Sequence, residues 1–397
     1  MRPVFWRGHV AGSRRRGRWT RSAASEYAGI RFRLETDLAD SVATAGAQEG
    51  RGALDFPFAA PPGPGEAVEL APGVLWMRLA MPLALDHINV YALDDGRGWA
   101  LVDTGLALPA TRDEWDRILA GPLGGRPVTR VICTHMHPDH IGLAGWLCER
   151  FQAPLVMTRL EYVTARMLLA DTGRPAPESG AAFYRAAGWD EAQLERYRQE
   201  FGQFGRAVAP LPDGFVRMRE GDRLVIGGEA WRVVVGEGHS PEHACLWRES
   251  DGVVLGGDQI LPKISSNVSV WPTEPDADPL GEWLRSLERM KTVFPDEVLV
   301  APSHGPPFHG VQARLDALLR GHRTALRRLE RTLQSPKRAV DVFGSLFARP
   351  VGDGVRGMAT GEAVAHLNHL LREGRVRRVR DADGVDWWQT IEKGRAA

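Results

Sequence analysis

From about residue 67 the chain breaks into short apolar runs, each closed by Gly, Pro, Asp or Glu. They predict strands at 74–78, 88–92, 99–103, 128–134, 154–157, 223–226, 231–235, 244–248 and 253–256. Apolar positions at helical spacing predict helices over 112–120, 145–150, 159–170, 181–204 and 280–293. Strands interleaved with helices imply an α/β layered fold, its sheets covered by helices. The stretch from about 160 to 212 interrupts the strand series with mostly helical sequence. Its Phe183, Tyr184, Trp189, Tyr197 and Phe201 either line a lid or fill the apolar stripe of a helical hairpin.

After His309 the pattern changes to one long Arg- and Leu-rich helix over 311–333, helices at 339–347 and 360–373, and strands at 376–379 and 385–389. Helices followed by a hairpin suggest a winged-helix unit. Its basic run, Arg372, Arg375, Arg377, Arg378 and Arg380, is either a phosphate footprint or a solvated face. At the other end, residues 1–25 hold seven arginines and no acid, and 26–65 show neither period. The chain therefore divides into a disordered Arg-rich tail (1–65), a catalytic domain (66–310) and a C-terminal module (311–397).

Fifty basic and fifty acidic residues among 397 cancel. No whole-protein field then draws in nucleic acid or an anionic membrane, and a nucleic-acid partner is disfavoured unless the C-terminal module supplies one. Nowhere do 18 apolar residues run together without charge, so no membrane-spanning helix is expected. Cys133, Cys148 and Cys245 lack CxxC spacing and fit reduced thiols in a cytoplasmic protein.

The densest chemistry lies in Thr134-His135-Met136-His137-Pro138-Asp139-His140. Residues two apart on an extended chain share a face, so His135 and His137 can meet one cation. Asp139 and His140, at the turn into the next helix, can face a second, about 3.5–4 Å away as in two-metal hydrolases. Three further donors sit beside Gly or Pro at strand ends: His239 in GHSP, Asp258 in GGD and His304 in PSHG. The expected sets are His135, His137 and His239 on one ion and Asp139, His140 and His304 on the other, with Asp258 between them. Imidazole and carboxylate donors without thiolate favour zinc, with manganese or iron also suited.

These motifs, with Leu101-Val102-Asp103-Thr104-Gly105 and Ser303-His304-Gly305-Pro306-Pro307, resemble the metallo-β-lactamase superfamily over residues 67–310. The resemblance implies an αββα sandwich with its metals at the sheet edges, and it supports the same seven ligands. The C-terminal module resembles the winged-helix tail of some lactamase-like hydrolases. Asp258 stands where subclass B1 lactamases carry cysteine, so the chain is more similar to glyoxalase II and related thioesterases or lactonases. His137 and His140 argue against the flavodiiron branch. Only 64 residues separate His239 from His304, leaving no room for a long nuclease insertion.

The expected activity is hydrolysis of a small thioester, ester or lactone by water activated between two zinc ions, with Asp139 handling a proton. Asp103, Thr134 and His243 would orient the ligands from behind, although His243 also fits an ordinary buried histidine. His87, Lys263 and Trp271 are candidates for the substrate mouth. Two other activities stay open. One is a mononuclear iron oxygenase resembling persulfide dioxygenases, using His135, His239 and Asp258; the other is an endoribonuclease aided by the C-terminal module. A homodimer is compatible with the sequence.

Overall fold

In the computed structural model the residues described are 54–83 and 85–391, and the Arg-rich start lies outside them. The first sheet has seven strands in chain order: β1 (Val68–Ala71), β2 (Val74–Ala80), β3 (His87–Asp94), β4 (Trp99–Val102), β5 (Val128–Ile132), β6 (Leu155–Met157) and β7 (Val216–Arg217). Pairing is antiparallel up to β4 and parallel from there on. The change follows from the connections. Tight turns join the early strands, whereas α1 (Pro109–Ala120) and then α2 (Pro138–Ile141) with α3 (Ala144–Phe151) cross over between the later ones.

After β6 comes the helical insert, α4 (Arg159–Ala170), α5 (Glu178–Ala186), α6 (Glu191–Glu200) and α7 (Phe204–Ala207). The single helix expected over 181–204 is thus two, separated at Gly188, whose φ of +103° no continuing helix adopts. Asp190 then caps α6 by accepting the Gln193 N–H at 2.9 Å. The insert's aromatics pack on one another, with Tyr184 4.3 Å from Trp189 and 4.9 Å from Tyr197 between ring centres. Phe183 and Tyr184 are buried in the core, so the hairpin reading of this segment holds rather than the lid.

The second sheet runs β12 (Leu299–Pro302), β11 (Val253–Gly257), β10 (His243–Arg248), β9 (Glu229–Gly236), β8 (Arg223–Ile226), with only β11 and β12 parallel. Asn89 and Tyr91 on β3 tie the sheets together by donating to the Pro302 carbonyl of β12 at 2.8 and 2.7 Å. Helices α8 (Pro279–Val293) and α9 (Val311–Thr332) lead into α10 (Phe343–Leu346), α11 (Arg356–Arg372) and a separate hairpin of β13 (Val376–Arg380) and β14 (Asp386–Thr390). One apolar cluster joins Val234, Cys245 and Val254 of the second sheet through Trp283 and Leu315 to Leu367, Val376 and Trp388.

One boundary changes. The expected tail reached residue 65, but Asp55 bridges His309, and Phe58 meets the Trp76 ring edge-on at 6.0 Å. Apolar side chains hold that stretch against the domain where no periodicity marked it. Within the basic run, Arg375 pairs with Glu330, Arg378 with Asp276 and Arg380 with Asp386, at 2.6, 2.9 and 2.7 Å.

Candidate metal centre

Three strand ends and one turn deliver the donors. The chain leaving β5 carries His135 and His137 before Pro138 starts α2 with Asp139 and His140. The β9–β10 turn carries His239, β11 ends beside Asp258, and β12 ends two residues before His304. All seven side chains are buried and fall into groups whose ligand atoms lie within 4.8 Å of one another: His135, His137, His239; His135, His140, Asp258; and Asp139, His140, His304.

The protonation pattern shows what the groups suit. His239 Nδ1 donates to the Asn267 carbonyl at 2.7 Å, His304 Nδ1 to the His87 carbonyl at 2.8 Å, and His140 Nδ1 to Asp103 Oδ2 at 2.8 Å. Each of these rings therefore turns its Nε2 toward the other donors. His135 Nδ1 is 3.0 Å from Thr134 Oγ1, whose own hydrogen goes to Asp103. His135 Nε2 then lies 2.9 Å from His137 Nδ1 and 3.3 Å from His239 Nε2. Asp258 sends Oδ2 to within 3.5 Å of His239 Nε2 and Oδ1 to within 3.4 Å of both His140 and His304 Nε2. His140 Nε2, His304 Nε2 and Asp258 Oδ1 are buried without a hydrogen bond.

Two ligands ~2.1 Å from one ion at the tetrahedral angle stand ~3.4 Å apart, so these separations fit cation coordination. Buried nitrogen and oxygen atoms without a hydrogen bond are costly unless a cation satisfies them. The cluster suits a divalent cation by donor set and by geometry. Burial and then the neighbouring imidazoles push His135 far below the ordinary imidazole value, and burial and His239 bring His137 to about 3, leaving both neutral. Burial would raise Asp258, but His304 and His140 outweigh it and hold the carboxylate well below its usual range.

Behind the ligands, Asp103 takes the Thr134 N–H at 2.8 Å as well as the Thr134 hydroxyl and His140. It does so from φ +60°, a strained conformation for a residue with a side chain. His243 has another task than orienting an imidazole: its Nε2 accepts the Asp258 N–H at 3.0 Å and so sets the bridging carboxylate. His87 also differs from its expected place at a substrate mouth. Its Nε2 accepts Gly305 N–H at 3.0 Å and its carbonyl takes His304, so it holds the His304 loop. Lys263 is exposed, and Trp271 is 42% exposed.

The sequence reading missed Glu161. Fully buried on α4, it accepts Met136 N–H at 2.9 Å, Ser240 Oγ–H at 2.6 Å and Glu242 N–H at 2.7 Å, pinning the 135–140 segment to the His239 turn. Burial raises its pKa to about 7 despite these donors. Only its place in a helix without nearby chemistry was visible beforehand.

The chain matches the family model described as metallo-beta-lactamase superfamily over residues 83–304, and that of the metallo-beta-lactamase-like C-terminal domain over 326–391. A beta-lactamase domain protein from Burkholderia ambifaria, known from its crystal structure, is 39% identical; the match covers 88% of this chain and 100% of that one, with TM-score 0.79. A protein of Bacillus subtilis (strain 168) named probable metallo-hydrolase YqjP is 27% identical over 76% of this chain and 92% of its own. An Aspergillus fumigatus protein named atrochrysone carboxyl ACP thioesterase is 24% identical over 58% of this chain and 41% of its own.

Proposed function

Because the chain belongs to the metallo-beta-lactamase superfamily, whose members include hydrolytic metalloenzymes, we propose that it uses two zinc ions to hydrolyse a small thioester, ester or lactone. The observation that carries this reading is Asp258, which offers one oxygen to each donor set. His135, His137 and His239 would hold one ion and Asp139, His140 and His304 the other. Bound there, the ions would supply Lewis acidity toward a carbonyl and lower the pKa of water toward neutrality.

The rest falls to side chains. Asp103 and the Asn267 and His87 carbonyls keep three imidazoles in the ligating tautomer. Asp139, with Oδ2 3.4 Å from His304 Nε2, receives the proton of the attacking water on its carboxylate and returns it to the departing thiol or alcohol. No side-chain nucleophile is needed. The thioesterase name of the Aspergillus relative supports the acyl class. Three buried free cysteines, their thiols pushed upward by burial, support a reducing, cytoplasmic setting.

The test is a panel of thioesters, lactones, phosphodiesters, β-lactams, single-stranded RNA and a persulfide, offered to wild type and to Asp258→Ala with metal content measured on both. About two zinc per chain and acyl hydrolysis lost in the variant are expected. One iron per chain with sulfite released from the persulfide would replace this reading with an oxygenase. RNA cleavage without acyl turnover would replace it with a nuclease, a role for which the internally paired arginines of the C-terminal hairpin offer no support.

A further inference from the structure

Helix α11 reaches the metal centre through one residue pair. Glu362, 4% exposed, accepts the Asn267 Nδ2–H on Oε2 at 2.8 Å. The other end of that amide, Oδ1, takes the Ser269 hydroxyl at 2.6 Å, so the side chain is fixed from both sides. The Asn267 carbonyl is the acceptor for His239 Nδ1. The same loop is docked on the same helix at a second point, where Val270 N–H donates to the Gly361 carbonyl at 3.0 Å. Gly361 makes that approach possible: a Cβ there would stand 2.8 Å from both Ser269 Cβ and the Val270 oxygen.

We propose that Glu362 is a positioning residue for His239, acting from the C-terminal helix through Asn267, which makes the C-terminal unit a working part of the metal centre. The inference rests on the reading of His239 as a ligand. The tautomer and tilt of a ligating imidazole are set by the acceptor on its far nitrogen, and loss of such an acceptor weakens metal binding about 10- to 100-fold. Glu362 stands one hydrogen bond further out, behind a carbonyl whose direction depends on the fixed amide. The lower end, about tenfold, is the expected effect of removing it.

The test titrates metal-free protein with Co²⁺ alone, following visible absorption and the paramagnetically shifted, solvent-exchangeable imidazole N–H signals. Wild type should fill two sites and show ring N–H signals from His239, His140 and His304. Glu362→Ala should bind one ion about tenfold more weakly and lose or broaden only the His239 signal. Glu362→Gln, which keeps an acceptor for Asn267, should restore both. Leu370→Ala, buried in the apolar cluster about two turns further along the same helix, should lower thermal stability and leave both affinities unchanged. If Glu362→Ala does not fold, Asn267→Ala cuts the same connection from the other side and should give the same selective loss. Unchanged affinity and an unchanged His239 signal in a folded Glu362→Ala or Asn267→Ala protein would overturn the proposal while leaving the metal reading intact. A wild type that takes up no divalent ion would remove both.

Discussion

At the scale of single residues, the centre depends on carboxylates placed where burial alone would forbid them. Asp258→Ala removes the oxygen offered to each donor set and leaves the inward-facing imidazoles without a carboxylate between them. We expect uptake of at least one ion to be lost and hydrolysis to fall more than about a hundredfold, beyond the 10- to 100-fold typical of outer partners. Equilibrium dialysis followed by elemental analysis checks the first part and steady-state turnover the second. Glu161 makes a different prediction because its carboxyl is held up to about 7. The unfolded chain releases that proton near ~4.3, so between those values the folded state binds more protons and stability falls as pH rises. In Glu161→Gln that part of the slope disappears. Urea unfolding at pH 5 and pH 8 should therefore show a larger loss for wild type than for the variant, and equal losses would disprove the assignment.

At the scale of elements, the ends of β5, β10, β11 and β12 matter more than their middles. Gly257 closes β11 at φ +52°, and a Cβ there would stand 2.4 Å from the His243 ring that holds Asp258. Gly257→Ala should cost about 1–3 kcal/mol from the backbone alone and also displace the bridging carboxylate, so thermal melts and metal content should both drop. The strand ends were legible from sequence because Gly and Pro punctuate them, and the seven donors were legible because HxHxDH crowds four of them into six positions. Short edge elements were not: β1 and β7 are four and two residues long, too brief to show a period. β12 was marked at its end by Pro302, but its four residues were too few to show a period. Gly188, Trp189 and Asp190 did carry a stop and a start signal, but the apolar spacing on either side overrode it. The supports of the centre were illegible for another reason. Glu161, Glu362 and the Asn267 carbonyl act through contacts between distant segments, such as the 95 positions between Asn267 and Glu362, and nothing local distinguishes them.

At the scale of the molecule, the C-terminal unit shares its interior with the second sheet. Leu346, Leu367, Leu370, Val376 and Trp388 are at most 2% exposed and lie in one cluster with Val254, Trp283 and Leu287. At ~1.5–3 kcal/mol for each fully buried side chain, these five contribute an amount comparable to the whole net stability of an ordinary domain, ~5–15 kcal/mol. Removing residues 336–397 should therefore uncover Trp283 and the outer face of β11 and leave no cooperative unfolding transition, rather than yield a trimmed catalytic domain. Circular dichroism melting and binding of a hydrophobic dye decide the matter. A truncated chain that melts cooperatively near the wild-type temperature would show that the first sheet and the metal centre close over a core of their own. A loss of cooperativity would mean that activity missing from the shortened protein says nothing about RNA, and that the role of this unit must be read from point variants such as Arg377→Ala. That substitution breaks only the hydrogen bond to Gln389 on the exposed hairpin. It should leave melting and metal uptake at wild-type values.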